Sequence, residues 1–120
     1  MKSLQGRTAL VTGSGRNIGK SIALMYASEG ANVIINNKSN IEELNTTAKE
    51  IKDLGVEVLA IQADISNEQE VNSMIGSGLE KFGTIDILVN NAALRPGTPF
   101  VDMEYSDWKK VTGIDLDGAF

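Results

Sequence analysis

Cysteine and histidine are both absent from the 120 residues of this sequence. Their absence excludes disulfide bonds, thiolate nucleophiles and imidazole bases, together with nearly all structural zinc sites. We therefore predict no metal site. Any chemistry performed by this chain must use serine, tyrosine, lysine or carboxylate groups, or a bound cofactor.

Long apolar and long basic runs are also absent. No apolar stretch approaches the roughly 18 residues that a membrane-spanning helix needs, and the first residues lack the apolar core of a secretory signal. The net charge of -5, without a basic run, argues against nucleic acid or an anionic membrane as a partner. We expect a cytoplasmic protein. The 42% hydrophobic content is sufficient for one compact core.

Short β-branched segments alternate with amphipathic segments along most of the chain. The predicted strands are residues 7–11, 31–36, 56–63 and 85–89. The predicted helices are residues 17–28, 41–54 and 67–82, with Ser66 or Asn67 as the cap of the third. In the first helix, Ile18, Ile22 and Met25 are predicted to form the buried stripe. This alternation predicts right-handed crossovers and a parallel sheet covered on both faces.

The last thirty or so residues follow a different pattern. Residues 95–99 are predicted to form a loop, and residues 102–120 one helix that begins near Ser106. The chain ends inside this helical pattern. We therefore expect residues 1–120 to be a single domain that is truncated within the helix after the fourth strand.

A glycine-rich turn lies between the first strand and the first helix. Gly13 suits a tight turn, Gly15 keeps side chains away from a ligand, and Gly19 allows close packing of the helix. The N–H groups that begin this helix suit a pyrophosphate, although a plain strand-to-helix turn would contain similar residues. The residues predicted to contact the ligand are Gly13, Ser14, Gly15, Arg16, Asn17, Ile18 and Gly19.

The end of the second strand predicts which dinucleotide binds. An acidic residue there would bond the ribose 2′-OH of NAD and repel a 2′-phosphate. The sequence has Asn37, Lys38 and Ser39 instead, and Arg16 can approach from the glycine turn. These residues favour NADP(H) over NAD(H), unless Lys38 and Arg16 are only solvated surface charges.

Four segments, in order, resemble the short-chain dehydrogenase/reductase family. Residues 12–19 match its Thr-Gly-x-x-x-Gly-x-Gly turn, with Asn17 in place of the middle glycine, a replacement that asparagine's tolerance of left-handed backbone permits. The other matches are Asp64 after the third strand, the Asn-Asn-Ala-Ala run at residues 90–93, and the helix at residues 108–120. The sequence is similar to the 3-oxoacyl-(acyl-carrier-protein) reductase-like members.

The resemblance implies a Rossmann-type α/β fold, a doubly wound parallel sheet with strand order 3-2-1-4. It also implies that Asp64 and Ile65 meet the adenine, while residues 90–93 close the fourth strand beside the cofactor. Asp64 could alternatively cap the next helix, and the asparagines could satisfy backbone at the strand end. The residues of this run are Asn90, Asn91, Ala92 and Ala93.

The family's catalytic groups are a Ser and a Tyr-x-x-x-Lys pair, supported by an Asn that holds a water relay. The first three are expected beyond Phe120, and Asp115 occupies the Asn position. A carboxylate there can accept hydrogen bonds but cannot donate as an amide does, and Asp115 could be merely a charge on a helix face. Tyr105 and Lys109 share the Tyr-x-x-x-Lys spacing, which we interpret as coincidence.

Taken together, these features predict an NADP(H)-dependent oxidoreductase that reduces a carbonyl or oxidises an alcohol. The family resemblance implies a homodimer or homotetramer and a small-molecule substrate. Two alternatives stay open. The chain could be a non-catalytic NADP-binding module or sensor, or a structural fragment whose last helix, containing Trp108, docks on another chain.

Overall fold

The computed structural model describes residues 2–120, in which strands and helices alternate. The strands are β1 (Thr8–Val11), β2 (Asn32–Asn37), β3 (Val58–Gln62) and β4 (Ile87–Val89). The helices are α1 (Asn17–Ser28), α2 (Ile41–Asp53), α3 (Glu68–Phe82) and α4 (Tyr105–Thr112). A 3₁₀ turn at Phe100–Asp102 precedes α4, and a π-helical turn at Gly113–Asp117 follows it. Within residues 2–120, every helix is too short or too polar to cross a membrane.

The strands form one parallel sheet in the order β3-β2-β1-β4. In its centre, Leu10 of β1 lies beside Ile34 of β2 and Leu88 of β4. Each parallel neighbour requires a crossover, and the helices between consecutive strands supply it. The predicted α/β sheet with strand order 3-2-1-4 is confirmed.

Alternate strand residues pack against helices on opposite faces of the sheet. On one face, Val11 and Val33 pack in a cluster with Ala23 of α1 and Leu44 of α2. On the other face, Leu10 and Ile34 lie in a cluster with Met74 of α3. Because both faces are covered, the central strands are apolar on both sides, which explains their continuous β-branched runs.

The buried face of α1 differs from the predicted stripe. Ile18 and Met25 are 72% and 65% exposed. The residues that α1 buries are small and follow at four-residue spacing: Gly19, Ala23 and Ala27. Small side chains let the helix axis lie close to the sheet, whereas the larger apolar residues were the stronger pattern in the sequence. The predicted buried stripe is therefore wrong for Ile18 and Met25, whereas Ile22 is partly buried and packs against the core.

The later helices begin as predicted, but the last one is broken. Asn67 caps α3 by accepting a hydrogen bond from the Glu70 N–H at 3.1 Å, which selects it over Ser66. The single helix predicted over residues 102–120 is instead a 3₁₀ turn, a short α-helix and a π-helical turn. The polar and glycine-containing sequence at its end explains why regular α-helix stops early.

The polar side chain of Asn36, at the end of β2, is buried and only 1% exposed. Its Nδ2 donates to the carbonyl oxygens of Ile61 and Ala63, each at 3.2 Å, and to Asn37 at 3.3 Å. Its Oδ1 accepts from the Gly13 N–H at 3.3 Å. Asn36 therefore joins β2, the end of β3 and the glycine turn through one amide.

We predict that Asn36→Ala lowers the free energy of unfolding by about 3 kcal/mol, because the part-buried Gly13 N–H and the buried Ala63 carbonyl lose their bonds to the Asn36 amide. Urea unfolding followed by circular dichroism measures the loss.

Asn37→Ala is the matched control at the next position. The Asn37 Nδ2 donates to the Asn40 carbonyl at the surface, and its Oδ1 is buried without a partner within residues 2–120. This variant should lose less than about 1 kcal/mol. Equal losses for the two variants would show that the buried network of Asn36 contributes nothing particular to stability.

Candidate functional site

The turn between β1 and α1 lies at the carboxyl end of the sheet and depends on two left-handed residues. Gly13 has a φ of 61°, and a Cβ there would lie 2.8 Å from the Cα of Ala92. Asn17 has a φ of 51° and is the only non-glycine residue with positive φ within residues 2–120. The left-handed backbone predicted for Asn17 is confirmed.

Gly19 brings the first turn of α1 against this loop. A Cβ at Gly19 would collide with the carbonyl oxygen of Gly13 and lie 2.5 Å from Nδ2 of Asn91. Any side chain would push α1 away from the turn. The close packing predicted for Gly19 is therefore what the structure shows.

Ser14 holds the turn from inside. It is fully buried, and its Oγ donates to the carbonyl of Val11 at 2.6 Å and accepts from the Asn36 N–H at 3.0 Å. Its own N–H donates to the Asn36 carbonyl at 2.7 Å. Both polar groups of Ser14 that can donate are thus used internally, and Ser14 does not line the cleft described below.

Thr47 and Asn91 fix the turn from neighbouring elements. The buried Thr47 of α2 donates its hydroxyl to the Gly15 carbonyl at 2.8 Å. Asn91, after β4, donates through Nδ2 to the carbonyls of Thr12 and Gly13, each at 3.1 Å. In return, Oγ1 of Thr12 accepts from the N–H of Asn91 at 3.1 Å. The turn is thus held by α2 and β4 as well as β2.

The amino end of α1 is less capped than those of α2 and α3. Asn40 and Asn67 cap α2 and α3, and acidic residues follow in both first turns. In the described chain, α1 has neither a side-chain cap nor an acidic residue in its first turn. Its first N–H groups therefore remain available to an anion.

A cleft of about 650 Å³ opens at this end of the sheet. The predicted ligand residues that line it are Gly13, Gly15, Arg16, Asn17, Ile18, Gly19, Asn37, Lys38, Ser39, Asp64, Ile65, Asn91, Ala92 and Ala93. Ser14 and the exposed Asn90 do not line it. The segments predicted to act together are thus brought together by the fold.

Six further residues, which no motif of the sequence indicates, line the cleft. These are Asn36, Asn40, Glu43, Ala63, Leu94 and Ile114. Three of them, Asn36, Asn40 and Ala63, are next to predicted residues in the sequence. Their positions at the ends of β2 and β3 could therefore have indicated them. Glu43 and Ile114 come from helices, and only the packing of α2 and the π-helical turn brings them to the cleft.

Two cations and two carboxylates line the cleft and form two ion pairs. Nζ of Lys38 lies 3.4 Å from Oδ2 of Asp64, and Nε of Arg16 lies 3.9 Å from Oε1 of Glu43. The Lys38 and Arg16 side chains are 66% and 74% exposed, so each pair is screened by solvent and contributes little to stability. Both cations can exchange their partners for a bound anion.

Asp64 bonds within the turn after β3, and the alternative that it caps the next helix is wrong. Its Oδ1 accepts from the hydroxyl of Ser66 at 2.6 Å and from the Ser66 N–H at 3.0 Å. The Ser66 hydroxyl bond is the main cause that lowers the pKa of Asp64 below its ordinary value, and the Lys38 charge adds to it. The carboxylate is therefore ionised at neutral pH and orders the turn after β3. It does not cap α3, since Asn67 does.

Asp115 lies beside the cleft and not in its wall. Its Oδ1 accepts from the Leu94 N–H at 2.8 Å, joining the π-helical turn to the segment after β4. It is therefore more than a charge on a helix face. Tyr105, by contrast, is 74% exposed at the start of α4 and does not line the cleft.

The chain was compared with known proteins. A family model described as short chain dehydrogenase matches residues 7–120. A 3-oxoacyl-(acyl-carrier-protein) reductase of Staphylococcus aureus (strain Mu50) is 40% identical over 114 residues, which are 95% of this chain and 46% of that protein. A 3-oxoacyl-(acyl-carrier-protein) reductase of Synechocystis is 38% identical over 120 residues, covering 100% of this chain and 49% of that protein.

A solved structure gives the same result. The crystal structure of NAD⁺-bound xylitol dehydrogenase superposes with a TM-score of 0.92 at 33% identity, covering 99% of this chain and 46% of that one. The chain thus spans about half the length of the relatives that it matches. The match over residues 7–120 and the shared fold together show that the chain belongs to the short chain dehydrogenase family.

Proposed function

We propose that the protein binds NADP(H) in the cleft at the carboxyl end of the sheet and is an oxidoreductase that reduces a carbonyl or oxidises an alcohol. The observation that carries the proposal is the glycine turn, from which the uncapped amino end of α1 opens into a cleft with two cations. The crevice at the carboxyl ends of β1 and β4, where the strand order reverses, is where open α/β sheets bind ligands.

The turn fits a pyrophosphate. The N–H groups at the start of α1, next to Gly15, offer donors and the positive end of the helix dipole. The absence of side chains at Gly13 and Gly15 lets a diphosphate approach the backbone. The cleft volume of about 650 Å³ lies within the range typical of cofactor sites.

The choice of NADP(H) over NAD(H) rests on the end of β2. No acidic residue stands there to repel a 2′-phosphate, and Lys38 and Ser39 supply a cation and a hydroxyl. Arg16 lies at the same cleft with a planar guanidinium suited to phosphate. The NAD⁺-bound relative supports a nicotinamide dinucleotide as the ligand class.

The remaining residues of the cleft would orient the dinucleotide. Asp64 and Ile65 line the side of the cleft next to β3, where the adenine would lie. Asn91, Ala92 and Ala93 line the side next to β4 and would lie beside the rest of the cofactor. When bound, the nicotinamide supplies or accepts the hydride.

The substrate class follows from the relatives. Two relatives are 3-oxoacyl-(acyl-carrier-protein) reductases, and another is a xylitol dehydrogenase. Both names describe the interconversion of a carbonyl and an alcohol. We propose the same reaction class here, with the Ser, Tyr and Lys of the family outside residues 1–120.

Asp115 would act by positioning. It stands at the family's Asn position, and its bond to the Leu94 N–H fixes the segment that leads away from Ala93. An asparagine oxygen would accept the same bond, but the carboxylate offers no N–H donor. This difference favours a second candidate, a non-catalytic NADP-binding module.

Self-association is part of the proposal. The large apolar side chains that are exposed near the end of the chain are Phe100, Val101, Tyr105, Trp108, Leu116 and Phe120. Of these, the rings of Phe100 and Trp108 contact each other edge to face, with 6.5 Å between centroids. Exposed apolar side chains of this kind suit a protein interface, and a homodimer or homotetramer would cover them.

We predict that Lys38→Ala weakens NADPH binding about tenfold, because a charge-assisted bond to the 2′-phosphate is lost. NADH binding should change less than twofold. Alanine is chosen because an acidic residue at position 38 would lie beside Asp64 and add repulsion between like charges. Titration of nucleotide fluorescence measures both dissociation constants.

Lys49→Ala is the control, since Lys49 carries the same charge on an exposed position of α2 and does not line the cleft. The assignment of NADP(H) would be wrong if the two variants bound NADPH equally well.

A chain verified by mass to contain only residues 1–120 should bind NADPH weakly or unstably and should not oxidise it in the presence of ketones, because this segment provides the nucleotide site and not the family's Ser, Tyr and Lys. NADPH absorbance would be followed against a panel of 3-oxo esters and simple ketones. Protein-dependent loss of absorbance together with alcohol formation would contradict this prediction.

A further inference from the structure

Glu43 is an acidic residue of the cleft wall that comes from the first turn of α2. Its side chain is 30% exposed, and its Oε1 lies 3.9 Å from Nε of Arg16. The same oxygen lies 3.4 Å from the position that a Cβ on Gly15 would occupy. Oε2 accepts from Nδ2 of Asn40 at 3.4 Å. The carboxylate is thus held between the glycine turn and the loop after β2.

The charges around the cleft balance. Its charged lining residues within residues 2–120 are Arg16, Lys38, Glu43 and Asp64, two positive and two negative. Each cation lies closest to one of the carboxylates. A 2′-phosphate that enters this region must compete with Glu43 for the guanidinium and is repelled by the carboxylate. A ribose 2′-hydroxyl meets neither obstacle and can donate a hydrogen bond to a carboxylate.

We infer that Glu43 is a specificity-determining residue, which lowers the preference for NADP(H) over NAD(H) by holding Arg16 in an ion pair that a 2′-phosphate must break. This inference rests on the proposed nucleotide-binding function. The end of β2 has no acidic residue, and the first turn of α2 supplies one instead. From there Glu43 pairs with Arg16, while Lys38 pairs with Asp64.

The experiment compares Glu43→Gln with Glu42→Gln in the full-length protein. Glu42 lies in the same helical turn, carries the same charge, is exposed and does not line the cleft. Dissociation constants for NADPH and NADH would be measured by calorimetry at low ionic strength, where such pairs are least screened. Thermal unfolding without nucleotide would show that both variants keep the fold.

Glu43→Gln should bind NADPH roughly two- to fivefold more tightly, the range expected for one partly exposed ion pair, and should bind NADH no more tightly than the parent protein. Glu42→Gln should leave the ratio of the two constants unchanged. In an Arg16→Gln background the gain from Glu43→Gln should fall by at least half, because the competing pair is already broken.

Equal effects of the Glu43 and Glu42 variants on the NADPH to NADH ratio would overturn the inference and leave the proposed function intact. An undiminished gain in the Arg16→Gln background would overturn the role of the ion pair. Failure of the parent protein to bind either nucleotide would overturn the proposed function, and the inference with it.

Discussion

The carboxamide of Asn36 is the contact on which the architecture of this end of the sheet depends. It bonds the backbone of Gly13, Ile61 and Ala63 at once, in an interior where an unpaired polar group is costly. Three chain segments that leave the sheet at neighbouring points are therefore fixed relative to one another. Any shift of the glycine turn would leave buried donors or acceptors without partners.

The same network explains why the amino end of α1 is available to a ligand. The N–H groups of Gly13 and Ser14 donate hydrogen bonds to Asn36. The side chains of Asn91 and Thr47 donate to backbone carbonyls of the turn. The internal bonds thus use the first N–H groups of the turn and leave those of the helix start. A turn ordered in this way loses little further entropy when an anion binds.

The β-branched runs, the amphipathic segments and the glycine turn between β1 and α1 predict a parallel α/β sheet and the place of the cleft, whereas the strand order 3-2-1-4 follows from the resemblance to the short-chain dehydrogenase/reductase family. The sequence therefore predicts most of the fold. It also predicts the left-handed backbone of Asn17. It does not predict that the Ser14 side chain is buried, because a serine in a glycine turn more commonly faces the ligand. It also does not predict that α1 buries its small residues, because large apolar residues more commonly form the buried face of a helix. Nor did it predict Glu43, which reaches the cleft only through the packing of α2 against the turn by Thr47. Tertiary contacts decided these positions.

The cleft also shows why the residue types at the end of β2 are an incomplete guide to cofactor choice. Lys38 and Arg16 are both present, yet each is paired with a carboxylate. Lys38 is paired with Asp64, which follows β3, and Arg16 is paired with Glu43, which lies in the first turn of α2. A 2′-phosphate in this region would meet charged side chains that follow β2 and β3, begin α2 and lie in the glycine turn, and the formal charges of these four side chains sum to zero. A cation binds a phosphate only if its interaction with the phosphate is stronger than the ion pair that it already forms. The Arg16–Glu43 pair is weak, because its atoms are 3.9 Å apart and the Arg16 side chain is largely exposed. The proposed preference for NADP(H) would therefore depend on ion pairs whose members are separated in sequence and adjacent only in the fold.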